Sequence, residues 1–214
     1  MKIPKIIHKI WVGDKPAPMK WINTWVEKHP DWEHILWDND KVYSRKWINE
    51  KHIGQYTEEG LWHGVADIIR YEILYEYGGI VSGADSICLH PIDELFDNDY
   101  ELFVPVDDWG QFIENPTSIE EIRVSPLYAS TKGHQFVKKM IEGITKMERV
   151  GTPYKSVGNR YTKKMILKYK PRIKLLPAYH LVPTYKDGTR YKGNGKIYAE
   201  HKWGSTFNNY DKGV

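Results

Sequence analysis

Cysteine is almost missing from this chain: Cys88 is the only one in 214 residues. A lone thiol excludes an intramolecular disulfide and a cysteine-based zinc site, and it suits a reducing compartment. Long apolar runs are missing too. The opening MKIPKIIHKIWVG has neither a signal-peptide core nor the length of a membrane span, so a cytoplasmic protein is expected, with membrane attachment through a partner left open. Charge of one sign is also scarce. A net charge of +3, from 31 basic and 28 acidic residues spread along the chain, is too mild for a nucleic-acid binder, which gathers Lys and Arg on one stripe. Repeats and low-complexity segments are lacking. The length suffices for one sizeable core and is short for two, so a single domain over residues 1–214 is expected.

Aromatic residues, by contrast, are abundant, with nine Trp and fifteen Tyr. Such rings serve both as core bulk and as stacking surfaces in sugar and nucleotide clefts. The most informative stretch is LWHGVADIIRYEILYEYGGIVSGADS, which starts at Leu61 and carries Asp85 near its end. Ala66, Ile69, Ile73 and Tyr77 recur at helical spacing, with Asp67, Arg70, Tyr71 and Leu74 on a neighbouring face. Gly78-Gly79 stops the helix, because glycine takes positive φ cheaply. Ile80 and Val81 then read as a buried strand closing on Ser82-Gly83-Ala84-Asp85. An acid at the carboxyl end of a strand lies where open α/β sheets bind ligands.

The remaining pattern supports a mostly parallel α/β fold. Lys5–Val12, Trp32–Trp37, Leu102–Val106, Ser125–Ser130 and Ile173–Leu176 read as strands. Pro18–His29, the segment after His134 and Gly158–Lys168 read as helices, and the turn-rich run from Pro177 to Gly195 reads as a late hairpin. Asp38-Asn39-Asp40 reads as a turn and helix cap rather than a metal motif. Asp107-Asp108-Trp109, at a strand end, offers acceptor-binding or catalytic carboxylates, with a solvated turn as the competing reading.

The order AD-x-x-RY-x-x-L-Y-x-YGGI, a short strand and an acid resembles the DXD-type sugar-nucleotide glycosyltransferases of family 32, which include capsule-type and initiating mannosyltransferases. The opening IPKIIHKIW and the closing His201, Trp203 and Ser205 resemble that family too. The resemblance implies a GT-A, Rossmann-like domain that moves a hexose from a UDP- or GDP-sugar to a glycan, lipid-linked or protein acceptor with retention of configuration. In the family an Asp-x-Asp triplet holds a divalent cation, Mn2+ or Mg2+, against the donor diphosphate; here Gly83 stands in the place of the first Asp. By the same resemblance Asp85 and His201 are metal ligands. Ile10, Trp11, Asp67, Arg70, Val81, Ser82, Gly83, Trp203 and Ser205 surround the donor. Asp85, Asp107 and Asp108 are the candidate catalytic carboxylates. No second carboxylate nucleophile is evident, so a front-face mechanism is expected, in which the leaving phosphate deprotonates the acceptor. The rival reading is a non-catalytic module that binds a nucleotide sugar or glycan.

Overall fold

A computed structural model describes residues 2–108, 111–120, 123–207 and 210, with the side chain of Ser205 outside the described set. In chain order the elements begin with β1 (Ile6–Ile10), α1 (Met19–Lys28), β2 (Glu33–Trp37), α2 (Asn39–Tyr43), α3 (Glu50–Glu58) and α4 (Trp62–Glu76). They continue with β3 (Gly79–Val81), β4 (Ser86–Cys88), β5 (Leu102–Asp107), β6 (Arg123–Val124), β7 (Ala129–Ser130) and α5 (Gln135–Thr145). The last are α6 (Pro153–Ser156), α7 (Asn159–Tyr169), β8 (Lys174–Pro177), β9 (Ala199–His201) and α8 (Gly204–Phe207).

The main sheet has seven strands. β2, β1 and β3 are mutually parallel, and β5 and β8 are parallel to each other. Because β7 runs antiparallel to both β3 and β5, all five of these strands point the same way, and only β6 and β7 oppose them. The expected strand over Ser125–Ser130 is broken into β6 and β7 along one edge of β5. Val106 faces Val124 whereas Phe103 faces Ala129, so the β6–β7 segment carries two extra residues between them and bulges. The late hairpin reduces to a single bridge, Thr184 to Arg190, whose turn is closed by the Tyr185 N–H donating to Thr189 O at 2.8 Å.

Alternation along the strands feeds two cores. Ile7, Ile80, Phe103 and Leu176 pack with Trp25 and Trp32 on one face, while Ile10, Val81, Leu102 and Val104 pack against α3, α4, α5 and α7 on the other. The sequence pattern gave α4 one apolar stripe. It is instead buried nearly all round, with Val65, Ile68, Ile69, Tyr71, Ile73 and Leu74 fully enclosed, because α3 and α5 cover the sides that the sheet leaves open. At its C-terminus Gly78 and Gly79 take φ of 71° and 88°. A Cβ on Gly79 would stand 2.5 Å from Ile6 O, so glycine is required both for the turn and for the close approach to β1.

α2 begins at the Asp38 cluster, and α3 lies in a stretch to which the sequence reading assigns no element. Part of what holds α3 is Glu72 of α4, a buried carboxylate that accepts from the backbone N–H of Ile48 and Asn49 at 2.7 and 2.9 Å. The cap reading of the Asp38 cluster holds, since the Asp38 carboxylate accepts from Lys41 N–H at 2.9 Å to start α2.

Candidate functional site

All five parallel strands end at the same edge of the sheet, and the chemistry-bearing side chains gather there. β3 leads directly into the loop Ser82–Asp85, and β4 follows. β4 pairs antiparallel with β9, setting Ser86 opposite His201, and the Lys202 N–H extends that ladder to Asp85 O at 2.7 Å. This register brings the His201 imidazole to the strand-end acid, with Nε2 3.1 Å from Asp85 Oδ1.

The hydrogen bonds assign the imidazole's protons. Trp203 N–H donates to His201 Nδ1 at 3.0 Å, so Nδ1 is the acceptor and the ring's proton sits on Nε2, 3.1 Å from Asp85 Oδ1. Trp203 reaches this position with a left-handed φ of 54°. Its indole packs on the imidazole at 4.4 Å and donates to Thr184 O at 2.8 Å. Gly83 lies over the pair: a Cβ built there would be 3.9 Å from His201 Nε2 and 3.3 Å from Asp85 Oδ1, close enough that the carboxylate would have to shift slightly to admit a side chain.

Arg70 comes up from α4 and donates through Nη1 to Val81 O at 3.0 Å and to Leu127 O at 3.3 Å. Its Nε is buried without a hydrogen-bond partner and lies 3.9 Å from Asp67 Oδ1. Asp67 in turn sits under the α6–α7 junction, where a Cβ on Gly158 would come within 2.8 Å of Oδ2. That burial pushes the Asp67 carboxyl up to about 6, against the opposing pull of Arg70.

The end of β1 is bordered by aromatic rings. Trp11 is half-buried, bonds Lys15 O through Nε1 at 2.7 Å, and meets Tyr210 edge-on at 4.9 Å. The neighbouring Gly13, at φ 116°, lies against the Trp62 indole, and its N–H and C=O are both clamped by the Asn39 side-chain amide at 2.9 Å. Ile10 and Val81, expected beside the donor, have their side chains inside the core; only their backbones reach this edge.

The two remaining carboxylate candidates part company. Asp107 is buried in an ion pair with Arg123, whose Nε and Nη2 both donate to Oδ2, while Oδ1 is buried without a partner. Asp108 is exposed in a tight turn with Gln111, the solvated alternative of the sequence reading. Trp109 lies outside the described residues, and Ser205 is described only as a backbone position in α8. Two surface cavities, of about 410 and 460 Å3, lie elsewhere, beside the start of β5 near Glu101 and Tyr100. Side-chain chemistry, not cavity size, marks the strand-end edge as the site.

Sequence reading missed Lys9. Its side chain is 3 % exposed and donates to Ser82 Oγ and Gly83 O, both at 3.0 Å, and to Ser86 Oγ at 3.4 Å. A signal existed. A strand buried on both faces must bury whatever polar residues its middle carries, and IIHKI carries His8 and Lys9. His8 is spent on structure: its Nε2–H donates to Gly78 O, its Nδ1 accepts from Trp37 Nε1, and burial lowers its pKa to about 4.

The donor set among the described side chains does not suit a resident divalent cation. Among the described residues, no group of three or more His, Cys, Asp or Glu side chains is arranged to hold a metal. His201, an expected ligand, uses one ring nitrogen as acceptor from Trp203 and holds the other, protonated, against Asp85. Ligation through Nε2 would need that proton removed while Nδ1 still accepts from a backbone N–H.

Known proteins resemble this chain in sequence and in fold. A family described as "Glycosyltransferase sugar-binding region containing DXD motif" matches residues 16–102. Inositol phosphoceramide mannosyltransferase 3 of Schizosaccharomyces pombe is 35% identical over 97 residues, covering 44% of this chain and 27% of that protein. Inositol phosphoceramide mannosyltransferase 2 of the same yeast is 26% identical over 221 residues, covering 99% of this chain and 60% of that protein. The chain thus spans at most 60% of the length of these relatives. The solved PaToxG glycosyltransferase superposes with a TM-score of 0.53 at 17% identity, over 78% of this chain and 69% of that one, a likeness of fold. In sequence the chain is similar to glycosyltransferases, and its fold is of the GT-A type. No helix among the described residues is long and apolar enough to cross a membrane.

Proposed function

We propose that this chain is a single glycosyltransferase domain that moves a hexose from a nucleotide diphosphate sugar to a carbohydrate-bearing acceptor, retaining anomeric configuration. The observation that carries the proposal is the meeting of Asp85 and His201 at the carboxyl edge of the parallel strands, beside Arg70 and Asp67. In this reading the rings at the end of β1 border the nucleotide, and Arg70, anchored on Val81 O, turns its remaining donors towards the donor's oxygens. Asp67 accepts from a sugar or ribose hydroxyl. Asp85, steered by the His201 N–H, faces the reacting sugar and stabilises positive charge that develops as the glycosidic bond stretches. The leaving phosphate oxygen takes the acceptor's proton, so no protein base is required. Mn2+ or Mg2+, implied by the resemblance, does not fit the side chains described.

The relatives' names speak of mannose and of inositol phosphoceramide, so a mannosyl donor and a phosphoinositol-bearing lipid are the first substrates to try. A reducing, cytoplasmic setting belongs to the same proposal, supported by the one cysteine, Cys88, being buried and free. The test is a panel of UDP- and GDP-sugars, read as nucleoside diphosphate released by the wild type and by Asp85→Asn. Release that depends on Asp85 supports transfer. Binding of a nucleotide sugar with no release, and no product on any acceptor, would establish the second reading, a non-catalytic module, which the open position at Gly83 favours.

A further inference from the structure

The strand-end loop is built over a buried ammonium. Lys9 alternates with Ile7 on the face of β1 that packs against α1, so an ordinary strand pattern would place an apolar side chain there. Its Nζ instead meets Ser82 Oγ, Gly83 O and Ser86 Oγ, and stands 3.9 Å from the centre of the Trp25 ring. Ser86 spends its own proton on Gly83 O at 2.6 Å, so both of these oxygens can only accept from Lys9. The three acceptors match the three protons of a charged ammonium, and the Trp25 ring face lies beside it, although burial pulls the lysine well below its ordinary pKa. Every group it bonds is neutral. The nearby Cys88 thiol is pushed up to about 11, so it adds no negative charge at neutral pH. Its hydrogen-bond partners therefore leave the positive charge standing, and the carboxylate that faces it is Asp85, at the end of the Ser82–Asp85 segment that lies above it.

We infer that Lys9 is a fixed internal cation of the donor site, a positioning residue that holds the Ser82–Ser86 loop and supplies from below part of the charge balance a divalent metal would supply from above. This inference rests on the proposed function and deepens it: nucleoside diphosphate binding here does not depend on a divalent cation. Gly83 belongs to the same arrangement. A carboxylate there would lie beside Asp85 Oδ1 and raise the negative charge of the loop, which then would call for a metal.

The experiment measures binding of UDP and GDP by calorimetry, in excess EDTA and in millimolar Mn2+, for the wild type, Lys9→Met and Gly83→Asp, with folding checked by circular dichroism. Expected are wild-type dissociation constants that differ by less than about tenfold between the two conditions. Lys9→Met should lose at least about tenfold in EDTA, and Gly83→Asp should bind weakly in EDTA and recover with Mn2+. A structural role alone would not change the response to metal. If Lys9→Met does not fold, the wild-type comparison and Gly83→Asp decide. Wild-type binding abolished by EDTA and restored by Mn2+, or a folded Lys9→Met that binds as the wild type does, overturns the inference and leaves the transferase reading standing. No binding of either nucleotide by any variant in either condition overturns the donor-site reading itself, and this inference with it.

Discussion

Replacing Asp67 with Asn should make the protein more stable and less active at neutral pH. The Asp67 carboxyl is pushed from 3.8 up to about 6 by burial under Gly158, with Arg70 only partly offsetting it. Between those two pH values the folded protein holds a proton that the unfolded chain has released, so stability falls as pH rises through this window and stays lowered above it. At about 1.4 kcal/mol per pH unit, the gap corresponds to about 3 kcal/mol. The side chain keeps 16% of its exposure and solvent screens part of the penalty, so about 1–2 kcal/mol is the working figure. An uncharged amide of the same shape avoids that penalty.

Urea unfolding of the wild type and of Asp67→Asn at a series of pH values from 4 to 8 reads the effect as a difference between the two curves. This cancels contributions from other carboxylates. The Asn variant should gain about 1–2 kcal/mol at pH 7.5, a melting temperature higher by a few degrees, and the gain should vanish as pH falls towards 4. Nucleotide-sugar binding should weaken at the same time, because functional sites hold groups that the fold alone would not choose. An Asn variant no more stable at pH 7.5, or a gain that persists unchanged at pH 4, would refute the claim that Asp67 is a strained, desolvated carboxylate.

Three further outcomes test other links. Asp85→Asn and His201→Ala should each lower turnover by about 100-fold, and the double variant should fall little further, because the two side chains act as one unit; multiplying losses would separate them. Glu72→Ala should cost about 2–4 kcal/mol in chemical denaturation, since the buried Asn49 N–H and the part-buried Ile48 N–H ahead of α3 lose their acceptor. A cost under about 1 kcal/mol would mean that water replaces the carboxylate there. Gly79→Ala should cost more than about 2 kcal/mol, with φ at 88° and Ile6 O only 2.5 Å from the new methyl; an unchanged melting temperature would contradict the close approach of β1 and β3.

What the sequence determined by itself was local. The helix, its glycine stop, the short strand and the acid at its end follow from spacing and from positive φ, which neighbouring residues fix among themselves. The same holds for β1, β2, β5, the α5 stripe and the Asp38 cap. Only the tertiary structure decided the contacts between distant segments, because their cost is loop closure and their reward is burial, neither of which is written in any short window. The β4–β9 register that sets His201 on Asp85 is one such contact, and the ion pair that takes Asp107 out of solvent is another. Lys9 is the clearest case. In sequence it is one more lysine in a basic opening, and it becomes the ammonium under the site only when Gly83, 74 residues later, folds its carbonyl over it.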